Sequence, residues 1–214
     1  MRVVALLFIG AVLSACGGGG GGGTGGGAGG GSGGGAAGCG PSTCTGCCFN
    51  GACQPGATAA GCGKNGAACA QCLANQVCRV DQTCGVDPES TWLVQPVSAT
   101  IAPSNNGSSW DGDGSGPDVR VSMWCPATAT SGTSTAEAPD TYAPTWSSGG
   151  CTAKAKELLQ AGWGLRVVDV DLVSDDTITD ALTVTLTEAL FVQGGFSLQP
   201  TGGLQAMSVR LTKQ

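Results

Sequence analysis

The sequence predicts an all-β protein. Residues 88–214 read as an antiparallel β-sandwich, preceded by a disordered glycine-rich tether and a small disulfide-rich module. Three observations predict this. Runs with period-2 alternation recur from residue 92 onward, bounded by Gly, Pro, Asn, Asp and Ser clusters. Ten of the 13 cysteines fall in residues 39–84. Residues 17–38 are almost pure glycine, broken only by Thr24, Ala28, Ser32, Ala36 and Ala37.

Residues 1–15 read as an export signal. Arg2 supplies the positive start, residues 3–13 an apolar run, and Ser14-Ala15 a small-residue cleavage site. The apolar run is about half the roughly 20 residues needed to span a bilayer. Leu13-Ser14-Ala15-Cys16 resembles the lipobox of bacterial lipoproteins. That resemblance implies that Cys16 is acylated, with palmitate-type chains, as the first residue of the mature protein. Several acyl chains anchor stably where a single chain does not. Gly17 follows the cysteine where an Asp would favour retention, which implies the outer membrane of a bacterial cell envelope. The alternative is a plain signal peptide with Cys16 as a disulfide partner.

The glycine run cannot pack, because glycine brings no side chain and a large conformational entropy. It predicts a flexible tether over 16–38 with a root-mean-square span of about 25 Å. A phosphate-binding glycine loop is excluded, since no strand precedes it and no Lys-Ser/Thr pair opens a helix after it.

The module at 39–84 carries Cys39, Cys44, Cys47, Cys48, Cys53, Cys62, Cys69, Cys72, Cys78 and Cys84. An even count, a short segment and an exported chain predict five disulfides. Few large apolar residues are present, so cross-links replace a core. Residues 39–53 weakly echo residues 62–84. Five cysteines in each half force at least one bridge between the halves if all ten pair among themselves. The alternative is a four-cysteine zinc site at Cys44, Cys47, Cys69 and Cys72. The segment resembles the Cys-rich linkers of large bacterial surface lipoproteins, which implies a stalk or spacer.

In the C-terminal domain the predicted strands are 92–102, 118–124, 165–173, 181–187 and 204–211, with 196–200 a further candidate. Their spacing reads as a sandwich. Only 152–161 reads as helix. Cys125 and Cys151 are the two cysteines left, and a disulfide between them would close a loop and stabilise by about 3–4 kcal/mol. Trp92, Trp124, Trp146 and Trp163 are expected in the core, while Trp110 beside an acidic loop has two readings, core or ligand platform.

Composition excludes several functions. The chain has no histidine, which removes Ser-His-Asp and Cys-His catalysis and His-containing zinc sites. Nine basic residues against 15 acidic ones, with no basic run, exclude a nucleic-acid partner. A two-carboxylate glycosidase needs a separated acid and base; clustered acids offer none, so no enzymatic activity is expected.

Seven of the 15 acids occupy two windows: Asp111, Asp113 and Asp118 before one predicted strand, and Asp169, Asp171, Asp175 and Asp176 after another. If the loops share one end of the sandwich, each carboxylate pair at about 5 Å costs roughly 3 kcal/mol at an effective dielectric near 20. A bound cation relieves that repulsion, and hard oxygen ligands on flexible loops favour Ca²⁺. Residues 111–116 match the opening of an EF-hand loop, but Ser122 stands where the closing bidentate acid belongs, so an EF-hand is rejected. The alternative is that Asp and Gly serve only as turn formers.

The order of these features resembles the C2 domain, the calcium- and phospholipid-binding β-sandwich. Pro117-Asp118-Val119 is similar to that family's first-loop strand start. Asp169-Val170-Asp171 is similar to its third-loop acid pair. Asp176-Thr177-Ile178 is similar to its Asp-x-Ile-Gly exit, with Thr179 where glycine is usual. The resemblance spans about residues 92–212. It implies Ca²⁺ ligands at Asp118, at Asp111 or Asp113, and at Asp169, Asp171 and Asp176, with Asp175 as a substitute. No Lys-rich strand for acidic lipid is present. The resulting expectation is a lipid-anchored surface protein whose sandwich binds Ca²⁺. The ion either rigidifies the loops or bridges to an anionic lipid or surface partner. The alternative is a purely structural surface lipoprotein with no ion.

Overall fold

The computed structural model describes residues 2–4 and 38–214. The apolar part of the signal segment, Cys16 and the glycine run to residue 37 lie outside the described residues. Arg2–Val4 forms a short strand, β1.

Three small hairpins make up the cysteine-rich module: β2 (Cys47–Phe49) with β3 (Ala52–Gln54), β4 (Ala57–Thr58) with β5 (Gly61–Cys62), and β6 (Val77–Cys78) with β7 (Cys84–Gly85). Five disulfides hold them: Cys39–Cys48, Cys44–Cys53, Cys47–Cys69, Cys62–Cys78 and Cys72–Cys84. Cys47–Cys69 is the bridge between the two halves that the odd cysteine count in each required. All four sulfurs of the zinc alternative are consumed in these bonds, so that reading is set aside. Phe49, Leu73 and Val80 stay exposed, which is the burial deficit that the cross-links offset.

The sandwich contains β8 (Thr91–Ile101), β9 (Val119–Trp124), β10 (Thr133–Ser134), β11 (Cys151–Lys154), helix α1 (Ala155–Ala161), β12 (Trp163–Asp169), β13 (Asp176–Thr185), helix α2 (Glu188–Gln193), β14 (Gly195–Leu198) and β15 (Leu204–Lys213). One sheet runs β1-β13-β12-β9-β10 and the other β11-β8-β15-β14. Alternation places Val119, Val121 and Met123 of β9 inside, facing Val94, Leu204 and Leu211 of the opposite sheet in one core. Pro96, which lacks an N–H, sits inside the central strand β8; it is tolerated at a register shift against Ser208 and Val209. Cys125 and Cys151 form a disulfide, as expected.

Several boundaries differ from expectation. The strand read as 165–173 ends at Asp169, because Asp171, Ser174 and Asp175 favour loop conformations and both ladders stop there, with one further hydrogen bond from Val170 to Asp118. The strand read from 181 begins at Asp176 instead. The first three residues of the helix read at 152–161 belong to strand β11, since Cys151–Lys154 pairs with β8, and the helix occupies Ala155–Ala161. Helix α2 was missed; its six residues are too few for a helical period to show. Trp92, Trp146 and Trp163 are core residues as expected, whereas Trp124 is only half-buried. Trp110 is core, its indole N–H donating to the Ala102 carbonyl.

The module is fastened to the sandwich at α2. The Glu188 carboxylate accepts from the Arg79 guanidinium and from the Val86 N–H. Arg79 also donates two hydrogen bonds to the Val86 carbonyl, and the Asn75 amide donates to the Phe191 carbonyl. Phe191 in turn packs edge-on against Trp92, with centroids 4.8 Å apart. No helix among the described residues is long and apolar enough to cross a membrane.

Candidate functional site

Three strand ends meet at one pole of the five-stranded sheet. β9 begins at Val119, β12 ends at Asp169 and β13 begins at Asp176; Asp169 lies opposite Val119 on one side and Asp176 on the other. The 111–118 and 169–176 windows therefore share one rim. Antiparallel order produces this, since the start of each outer strand must flank the end of the middle one.

Asp169 is the centre of the rim. The alternation that turns Trp163, Leu165 and Val167 into the core carries Asp169 onto the same face, and its side chain is fully buried. One carboxylate oxygen, Oδ1, accepts the Asp118 N–H at 2.6 Å. The other, Oδ2, is buried with no hydrogen-bond partner. Burial raises the Asp169 pKa to about 6, with further upward pushes from Asp111, Asp171 and Asp118, against the opposing Asp118 N–H. Burial also raises the pKa of Asp171, helped by Asp176, Asp111 and Asp175.

Asp118 ties three loops together. Its N–H reaches Asp169, its carbonyl accepts the Val170 N–H at 2.9 Å, and its Oδ1 accepts the Asp140 N–H at 2.8 Å. The first loop is a tight turn closed by the Gly114 N–H donating to the Asp111 carbonyl. Gly114 has φ +86°, which a side chain would strain. Within it the Ser115 hydroxyl donates to both Asp111 and Asp113, and the hydrogen bonds from Ser115 hold the Asp113 carboxyl below its usual range.

The seven predicted acids are not equivalent. Asp111, Asp118, Asp169, Asp171 and Asp176 interact around the rim. Asp113 is engaged within its own turn. Asp175 forms an ion pair with Arg120 at 2.9 Å, and Asp176 accepts from the Asn105 amide at 2.9 Å. Among the described residues no three carboxylates bring oxygens within 4.8 Å of one another; the trios that close are cysteines already in disulfides. The acids are thus spread more widely than their spacing suggested, and local donors engage Asp111, Asp113, Asp118, Asp175 and Asp176 individually. Sequence reasoning missed Asn105, Arg120 and Asp140. Arg120, at the second position of β9, alternates onto the outer face near the rim and was the one legible signal. Beside the acids, Leu172 and Val173 form a fully exposed apolar loop tip.

No family model and no curated protein matches the sequence. Similar solved structures include C2 domains. One is described simply as a C2 domain, with 14% identity and TM-score 0.38, covering 58% of this chain and 98% of that one. Another is a single C2 domain of plant extended synaptotagmin 1, with 15% identity and TM-score 0.42, covering 60% and 96%. A third is the calcium-bound tandem C2 pair of extended synaptotagmin 2, with 14% identity and TM-score 0.44, covering 59% of this chain and 46% of that one. The strand order itself defines an antiparallel two-sheet sandwich behind a disulfide-rich module.

Proposed function

We propose that the chain is a membrane-anchored surface lipoprotein, without enzymatic activity, whose sandwich binds Ca²⁺ through the acidic rim and acts as a binding or adhesion module. The observation that carries the ion reading is Asp169: a buried carboxylate oxygen without a partner, flanked by other acids. An orphaned buried acceptor costs about 1–3 kcal/mol, and more if charged, and a cation removes that cost. Asp111, Asp118, Asp169 and Asp171, with Asp176 beside them, would close together on the ion, since no three of these carboxylates bring oxygens within 4.8 Å of one another beforehand. Asp113 and Asp175 act through charge alone. A bound divalent cation supplies positive charge that offsets the rim repulsion and attracts an anionic headgroup or surface group. Leu172 and Val173 give the rim an apolar tip suited to such a surface. Acylation of Cys16 rests on the lipobox.

Thermal unfolding tests the ion reading. Millimolar Ca²⁺ should raise the melting temperature by about 5–10 °C over chelator, and Asp169→Asn with Asp171→Asn should abolish the rise. Equal melting temperatures in Ca²⁺ and chelator refute it. Fatty-acid labelling that survives Cys16→Ser would refute the anchor.

The structural reading has its own support: Arg120, Asn105 and the Asp140 N–H each engage one of the seven acids as a protein donor. It predicts that the double Asn variant is as stable as the parent or more so, equally in Ca²⁺ and in chelator.

A further inference from the structure

We propose that a hollow beside the acidic rim binds one neutral sugar ring, a second site that does not depend on the ion. The hollow holds about 210 Å³ and lies between the 102–110 loop, the start of β13 and the turn before β15. Pockets for larger ligands run to about 300–1,000 Å³, so this one suits a single ring. Trp110 and Ile178, both buried, form its floor. Its walls are pinned before any ligand arrives. The Ala102 N–H donates to the Gly203 carbonyl at 2.8 Å, the Gly203 N–H to the Ile178 carbonyl at 2.7 Å, and the Trp110 indole N–H to the Ala102 carbonyl at 2.8 Å. Gly203 is needed for this closeness, because an added Cβ would lie 2.9 Å from Trp110 Cη2. Asn106, at φ +53°, sits at the tip of a two-residue turn closed by paired backbone bonds between Asn105 and Ser108. Walls fixed in advance lower the ordering cost of binding.

The polar groups left unused on these walls define the ligand. Thr179 is 3% exposed, and its hydroxyl has no hydrogen-bond partner among the described residues, unlike the buried hydroxyls of Ser90 and Thr135. The buried atoms both sealed and unpartnered there are Trp163 Nε1 and Asp169 Oδ2, so the Thr179 oxygen opens into the hollow that its residue lines. The Asn106 amide donates to Asn105 Oδ1 at 3.2 Å and keeps a second N–H and its own carbonyl oxygen. Asp180 takes part in no ion pair among the described residues. No lysine or arginine lines the hollow, so a phosphate, sulfate or carboxylate has no counter-charge there. One carboxylate makes a poor site for a hard cation, which takes six or more oxygens. An apolar ligand would leave Thr179 and Asp180 unpaired. A neutral ring with adjacent hydroxyls satisfies every group. Its hydroxyls donate to Asp180 and to the Asn106 carbonyl, accept from the Asn106 N–H and pair with Thr179, while its C–H face rests on Trp110 and Ile178.

The test titrates the full chain, in chelator, with glucose, galactose, mannose, rhamnose and N-acetylglucosamine, and follows backbone amide shifts by NMR. At least one sugar is expected to bind with a Kd of about 1–10 mM, the range for a single ring with few buried atoms. It should move the amides of residues 105–106, 179–180 and 202–203. Thr179→Val keeps the side-chain shape and Asp180→Ala alters an exposed position, so both variants keep the fold; each should weaken binding about three- to tenfold. None of the acids proposed to hold Ca²⁺ lines the hollow, and the titration excludes the ion, so a failure of the ion reading leaves this result untouched. Three results would each overturn the proposal: no sugar moving those amides, sulfate moving them as the sugars do, or undiminished binding by both variants.

Discussion

At Asp169 a carboxyl group whose ordinary pKa is 3.8 is pushed up to about 6 by burial at a rim of like charges. Its folded pKa exceeds the unfolded one, so the native state holds the proton more tightly. Ion-free protein should therefore lose stability as pH rises from about 4 to about 6 on account of this residue. Asp169→Asn should remove that slope and stabilise the ion-free protein above pH 6. The gain should be about 1–2 kcal/mol, less than the full linkage value because solvent screens the rim. Urea unfolding of both proteins in chelator at pH 4 and pH 7 measures the difference. Arg120 has the opposite sign of effect. Its half-exposed pair with Asp175 adds little stability, but it places a fixed positive charge beside the rim acids. Arg120→Ala should tighten Ca²⁺ binding about two- to fivefold at low salt and less at high salt, by calorimetric titration. The importance of Asp169 was partly legible: its place after an alternating run put it at a strand end. Its orphaned oxygen was not, because that depends on which donors surround it once folded.

The elements that position the rim were read from period-2 alternation, and the strands with the clearest alternation, β8, β9 and β15, were placed to within a residue or two. The errors fall where alternation gives out. Val-Asp-Leu-Val at 170–173 keeps a strand-like pattern, yet lies beyond the last pairing partner and forms a loop with Leu172 and Val173 in solvent. Pairing, a long-range property, ends that strand. Residues 151–154 are strand because β8 offers a free edge there, although Lys154, Lys156 and Glu157 suggest a helix. Replacing both Cys125 and Cys151 with Ala removes the cross-link between the end of β9 and β11. It should cost about 2–4 kcal/mol, as a lower denaturant midpoint, with the fold retained.

Over the whole molecule, the stapled module and the sandwich meet at a joint of few residues. Arg79 bridges the Val86 carbonyl and the Glu188 carboxylate, and Val86 itself is fully buried. Arg79→Ala should speed hydrogen exchange at residues 84–90 and leave β9 and β12 protected, at a cost of about 1–2 kcal/mol. The module is thus attached through side chains that a composition-based reading treats as solvated surface, which is why sequence alone suggested only a spacer.

The connectivity of the module bears on how the chain matures. None of its five bonds joins cysteines that are consecutive in the sequence, whereas Cys125–Cys151 does. An oxidase acting on the chain as it emerges would join neighbours first and get every bond between residues 39 and 84 wrong. Correct pairing needs thiol–disulfide exchange after the first oxidation. Secretion from a host lacking a disulfide isomerase should yield scrambled bonds between residues 39 and 84 beside an intact Cys125–Cys151, a pattern that peptide mapping under non-reducing conditions would display.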